Sequence, residues 1–141
     1  MNKKRFSSQF LKIICIVILF LIDQKSTQAQ AKPWKVPESA EKVKNPLANN
    51  AASRRKGKTL FISNCAPCHG KSGKGDGPGS PSLETRPADL TTPWKPEDTD
   101  GALYYMISTG HILMPKFKVT LNDRQRWELV NYIRSLPQKH K

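Results

Sequence analysis

Five consecutive residues, Cys65-Ala66-Pro67-Cys68-His69, constrain this 141-residue chain more than any other stretch. Cys-x-x-Cys-His is the attachment signature of a c-type haem. Two cysteines at this spacing can form thioethers to the two vinyl groups of one haem. The histidine that follows is then held beneath the iron as an axial ligand. A fold around such a group must bring a second axial ligand, donors for the propionates and an apolar wall to one place.

Cysteine arithmetic and the N-terminus bear on this reading. Lys3, Lys4, Arg5 and Lys12 form a basic start, residues 13–22 are an unbroken apolar run, and Ala29-Gln30-Ala31 is a small-x-small cleavage pattern. Together they predict a secretory signal peptide over 1–31, with an uncleaved anchor as the alternative; ten apolar residues are too few to span a bilayer. Cys15 lies inside the run, too early for a lipid-attachment cysteine, so only Cys65 and Cys68 remain after cleavage. If both carry haem, no disulfide can form. A covalent cofactor is then the staple that a domain of this size needs. Export and attachment agree, because c-type haem is attached outside the cytoplasm, and the expected location is the periplasm.

The full chain has 24 basic and 11 acidic residues, net +13. Five basic residues and Asp23 leave with the leader, so 19 basic face 10 acidic residues, net +9. Such a charge favours an acidic protein surface or an anionic membrane. Nucleic acid is not an expected partner, since no binding motif is present.

Residues 32–52 read as a Pro/Asn-rich arm, with Trp34 and Val36 as the side chains able to tack it down and a flexible tether as the alternative. A domain over 53–141 follows. Its first helix is predicted over 53–64, with Ser53 as N-cap and Gly57, Leu60, Phe61 and Asn64 on one face. Gly57 weakens that helix, which implies close approach of another. A glycine-rich loop over 70–80 contains Gly70-Lys71-Ser72 but lacks the earlier glycine of a phosphate loop, whose place Cys65 takes. A loop wrapping a cofactor edge fits better. Residues 81–94 read as loop. The middle helix is predicted over 99–109, stopped by Gly110, with Leu103, Met106 and Ile107 as its apolar face. The last helix begins at Asn122 with Gln125 in a capping box. Leu129, Tyr132, Ile133 and Leu136 gather on one of its faces, with Glu128, Asn131, Arg134 and Ser135 opposite. No strand is expected.

An iron that carries electrons without binding other ligands needs a second axial partner besides His69. Met114 is the first choice, on a loop after the middle helix with Pro115 fixing the chain beside it; a thioether raises the reduction potential. His111, three residues earlier, is the rival. Met106 reads as core filler, and His140 as solvated tail. Zinc would want a second ligand pair, which is missing, and a redox dithiol would want a βαβ context. The other nitrogen of His69 needs an acceptor, with Pro81 or Pro78 as candidates. Arg86, Trp94 and Lys95 are candidate propionate donors.

The chain resembles class I c-type cytochromes, particularly the small exported mono-haem proteins of bacteria. The likeness covers residues 57–136. It rests on Gly57-x-x-Leu60-Phe61, the haem motif with Gly70, Gly73-x-Gly75-Asp76-Gly77-Pro78, Pro81-x-Leu83, Pro87-Ala88-Asp89-Leu90, Gly110-x-x-x-Met114-Pro115-x-Phe117 and Trp127-x-Leu129-Val130-x-Tyr132-Ile133. The resemblance implies an all-α cytochrome c fold, three main helices around one covalent haem c. It implies that the first and last helices cross near-perpendicularly, Gly57 and Phe61 meeting Trp127 or Val130 and Tyr132. It also implies His69/Met114 ligation, Pro81 as the acceptor from His69, and a one-electron carrier rather than an enzyme. The Pro33-Trp34-x-Val36-Pro37 start of the arm resembles the leader of cytochrome subunits in quinol-oxidising complexes. That adds a membrane quinol-oxidising or terminal oxidase complex to the candidate partners, beside an acidic redox protein. The readings kept beside the respiratory carrier are a haem subunit of a larger oxidoreductase and a haem enzyme with a labile sixth ligand.

Overall fold

Asn50 sets the start of the longest helix among the described residues. Its backbone is extended and its side-chain oxygen accepts from the Ser53 amide at 2.9 Å, the geometry that makes asparagine a strong N-cap. The computed structural model describes residues 34–95 and 97–139. The expected leader over 1–31, Cys15 and His140 lie outside them. Within them the order is α1 (Glu38–Glu41), α2 (Ala51–Asn64), α3 (Ala66–His69), a 3-10 turn (Ser80–Ser82), α4 (Asp100–Thr109), a second 3-10 turn (Phe117–Val119) and α5 (Asp123–Arg134). The molecule is all-α, with an isolated bridge between His111 and Met114 and no strand among the described residues.

Ser53 is therefore not the cap of α2. It lies inside the helix, buried, and its hydroxyl accepts from Asn131 Nδ2 at 2.8 Å. Gly57 does what its small size implies. A Cβ built there would sit 1.9 Å from the Glu128 carbonyl oxygen and 3.0 Å from Tyr132 Cβ, so α2 and α5 touch backbone to backbone. Phe61, Leu129 and Val130 are fully buried at this crossing, and the Phe61 and Tyr132 rings lie 5.1 Å apart.

The capping box of α5 forms as its sequence requires: Asn122 accepts from the Gln125 amide, and the Gln125 side chain accepts from the Asn122 amide, both at 2.9 Å. Its polar face is covered rather than free. Glu128 is only 4 % exposed. Asn131 donates to the Leu47 carbonyl at 2.6 Å, and Arg134 pairs with Asp100 at 2.8 Å. The element covering part of this face is the arm, which is docked: Asn45 Nδ2 lies 2.8 Å from Asp100 Oδ2 and 2.7 Å from Asn131 Oδ1.

Thr99 caps α4 and Gly110 ends it, as predicted. Ala102, Leu103 and Ile107 are its buried apolar residues. Met106, read from the sequence as core filler, is only half-buried at the edge of that face. On the other side Tyr104 stacks on Trp127 at 4.1 Å. Arg126 lies over Tyr104, donates to Ser108 Oγ at 2.6 Å and pairs with Asp123. No described helix is long and apolar enough to cross a membrane.

Candidate haem centre

Helix α2 delivers the attachment motif. The Cys65 amide still bonds to the Phe61 carbonyl at 2.9 Å, ending α2, and the Cys65 carbonyl accepts from the Cys68 and His69 amides at 3.1 and 2.8 Å. Cys65, Cys68 and His69 therefore occupy one helical turn at i, i+3 and i+4, the spacing that puts three side chains on one face. Pro67 is tolerated because the first turn of a helix needs no partner for its amide. The glycine-rich loop closes beneath this turn. The amides of Gly79, Gly77 and Gly75 donate to the carbonyls of Pro67, Cys68 and His69 at 2.9, 3.1 and 2.8 Å. Those carbonyls would otherwise be the orphans of a short helix.

The loop then pairs with the next segment, the Leu90 amide reaching the Gly73 carbonyl at 2.7 Å. This pairing lays Ala88 beside His69, with Nδ1 3.1 Å from the Ala88 oxygen. A carbonyl can only accept, so Nδ1 carries the proton in this contact and Nε2 keeps its lone pair. Burial pushes the His69 pKa below the ordinary histidine value against the opposing pull of the Ala88 carbonyl, which favours the neutral, ligating form. The acceptor is thus Ala88 and not Pro81 or Pro78. Pro81 sits in the 3-10 turn and, with Gly75, Ser80, Leu83 and Arg86, lines an open cleft of about 490 Å³. Its place follows from the Gly79–Pro67 bond, which sends that turn under Pro67 instead of toward the His69 ring.

Cys65 and Cys68 are free thiols. Burial, then the neighbouring Cys68 charge, pushes the Cys65 thiol up to about 12. A thiol so protonated is a poor nucleophile, unlike the attacking cysteine of a redox dithiol. Among the described residues no three His, Cys, Asp or Glu side chains converge to hold a metal ion.

Met114 comes from a turn between α4 and the Phe117 3-10 helix. His111 and Met114 exchange amide-to-carbonyl bonds of 3.0 and 2.8 Å, Gly110 takes φ +63°, and Ile112 takes φ +48°. Met114 is half-buried and packs against the core, while Phe117 is buried and anchors the far end. His111, the rival, stacks on Trp34 of the arm with ring centroids 4.9 Å apart and planes at 27°. Trp34 was legible in the sequence as a side chain able to tack the arm down, but its landing place on His111 was not.

Of the candidate propionate donors, Trp94 has the most telling environment. Its indole packs against the core beneath Arg134, 4.5 Å from the guanidinium, and its buried Nε1 has no partner. A buried donor without an acceptor is costly, and an anionic group at the haem rim is a chemically suitable acceptor. Arg86 is exposed and donates through Nε to the Gly75 carbonyl at 3.3 Å. Lys95 is exposed. Two free thiols on one turn, an oriented neutral imidazole, a core-packed thioether and an orphan indole N–H form a donor set that fits haem c.

The model of the family described as cytochrome C oxidase, cbb3-type, subunit III matches residues 52–133. Among curated proteins nothing matches. Among solved structures, the chain is similar to one from the reducing HAO-like protein complex of Kuenenia stuttgartiensis. The two are 27 % identical with a TM-score of 0.60, over 78 % of this chain and 53 % of that one. This chain thus corresponds to about half the length of that relative. The family match covers more than half of the present sequence, and the chain belongs to the cytochrome C oxidase, cbb3-type, subunit III family, as a cytochrome c domain.

Proposed function

We propose that this protein carries one electron at a time on a single haem c, outside the cytoplasm, in a respiratory chain. The observation that carries the reading is the turn on which Cys65, Cys68 and His69 share one face while the Ala88 carbonyl fixes the ring. When bound, the haem supplies an iron that alternates between ferric and ferrous states. Cys65 and Cys68 would hold it through thioethers. His69 would offer Nε2 and Met114 its thioether sulfur to the iron, a ligand pair that leaves no place for outside ligands. Trp94 Nε1 would donate to a propionate, and Arg86 would lend positive charge near the loop. Exposed Lys71 and Lys74 beside the attachment turn, and Lys116 and Lys118 beside the Met114 turn, favour an acidic partner surface. The leader pattern over 1–31 supports a periplasmic location.

The likeness to a chain of a multi-protein complex favours a second reading of the same chemistry, in which this domain is a fixed haem subunit of a membrane oxidoreductase. The test of the common reading is direct. Full-length protein made in a host that attaches c-type haem should keep one haem per chain after denaturation and organic extraction. Its redox titration should follow a single one-electron curve. Loss of haem on extraction, or a two-electron thiol couple in its place, would overturn the reading. Retention on membranes through high-salt washing separates the fixed subunit from the free carrier.

A further inference from the structure

The arm runs along α4 from one end to the other. Near the start of α4, the Thr99 hydroxyl donates to the Glu41 carbonyl at 2.9 Å, and a Cβ on Gly101 would lie 2.1 Å from the Ala40 oxygen. Just beyond its C-terminal end, Trp34 stacks on His111, the first residue of the turn that presents Met114. That turn has little of its own to hold it shut. Ile112 is β-branched and held at φ +48°, a conformation such a residue resists. Ile112 and Leu113 are 71 % and 51 % exposed, so their burial does not stabilise the turn. The paired backbone bonds between His111 and Met114, the buried Phe117 downstream and the Trp34 ring upstream all grip it.

We propose that Trp34 is a positioning residue for the sixth ligand, its ring clamping His111 so that the His111–Met114 turn stays closed and Met114 stays on the iron. The proposal rests on Met114 being the ligand. The arm, with Asn45 locked to Asp100 and Asn131 at its other end, is then a strap that sets how readily the iron opens. An aromatic stack of this kind shifts such an equilibrium by about two- to tenfold.

Titration of the ferric, haem-loaded full chain with imidazole, followed by absorption, reads the opening, because imidazole binds only when the thioether leaves. Trp34→Ala should bind imidazole about two- to tenfold more tightly than the wild type, and Trp34→Phe should restore wild-type affinity. His111→Ala should bind imidazole at least as tightly as Trp34→Ala, and Trp34→Ala should add little on top of it. This second route serves where Trp34→Ala fails to fold. Wild-type affinity in Trp34→Ala or in His111→Ala, or failure of Trp34→Phe to restore it, overturns the proposal. Met114→Ala separates the two levels of the argument. If it binds imidazole more tightly while Trp34→Ala does not, the clamp is wrong and the ligand assignment stands. If Met114→Ala also binds like the wild type, the ligand assignment fails and the clamp falls with it.

Discussion

Asp89 ties the end of the chain to the loop that orients His69. Its carboxylate pairs with Lys139 at 2.6 Å and accepts from the Thr91 hydroxyl and amide at 2.6 and 2.9 Å. The Lys139 hydrogen bond first, then those from Thr91, holds its pKa well below the usual carboxylate range. A carboxyl depressed in the folded state stabilises fully above its unfolded pKa, about 4, and loses that contribution as pH falls toward the folded value. Because Lys139 is more than half exposed, the gain is modest. Asp89→Asn should cost about 1 kcal/mol at pH 7, and denaturant titrations should find the gap to the wild type shrinking below about pH 4. At this scale the sequence showed the reactive atoms but not their supports. Cys65, Cys68, His69 and Met114 are marked by residue type and spacing. The acceptor for His69 is a backbone carbonyl, which any residue carries. Its choice at Ala88 depends on the Leu90–Gly73 pairing, which neither proline chemistry nor the resemblance that favoured Pro81 reveals.

Helix ends and helix contacts were unevenly legible. The capping box of α5 and the Thr99 and Gly110 bounds of α4 are local signals, written within three or four residues, and they form as read. The start of α2 was expected at Ser53, three residues past the true cap. Asn50 won because its side chain reaches the Ser53 amide, while Ser53 is committed to Asn131. The docking of the arm was half legible: Trp34 read as a side chain able to tack it down, while the polar contacts of Asn45 and Glu41 had no apolar stripe to announce them. Gly57 was the exception, a long-range contact announced by one missing side chain. Gly57→Ala improves helix propensity by about 1 kcal/mol but drives a methyl into the Glu128 carbonyl. Overpacking of that kind costs about 1–3 kcal/mol, and the 1.9 Å approach places this site at the upper end. Chemical denaturation should find a net loss of about 2 kcal/mol, with the attachment turn at the end of α2 loosened in hydrogen exchange. Asn122→Ala should cost about 1 kcal/mol through the lost cap, without changing ligand binding at the iron.

At the scale of the whole molecule, the described surface beside the His69 and Met114 segments combines charge with exposed apolar groups. Lys71, Lys74, Lys116 and Lys118 are exposed, and Ile112, Leu113 and Val119 stand out beside Met114 at 71 %, 51 % and 77 % exposure. Electron transfer to an acidic partner should slow as ionic strength rises past the point where the screening length, about 8 Å at physiological salt, falls below the contact spacing. Stopped-flow rates with Lys116→Glu and Lys118→Glu together should be lower and nearly flat with salt, at an unchanged reduction potential. A salt-independent wild-type rate would remove the steering and leave the carrier intact. Electron carriage of the proposed kind requires an iron closed by His69 and Met114. The absorption spectrum of the ferric, haem-loaded protein at neutral pH tests this most directly. It should be low-spin, with a sulfur-to-iron charge-transfer band that persists in His111→Ala and vanishes in Met114→Ala. A high-spin spectrum, or a band that survives in Met114→Ala, would contradict it.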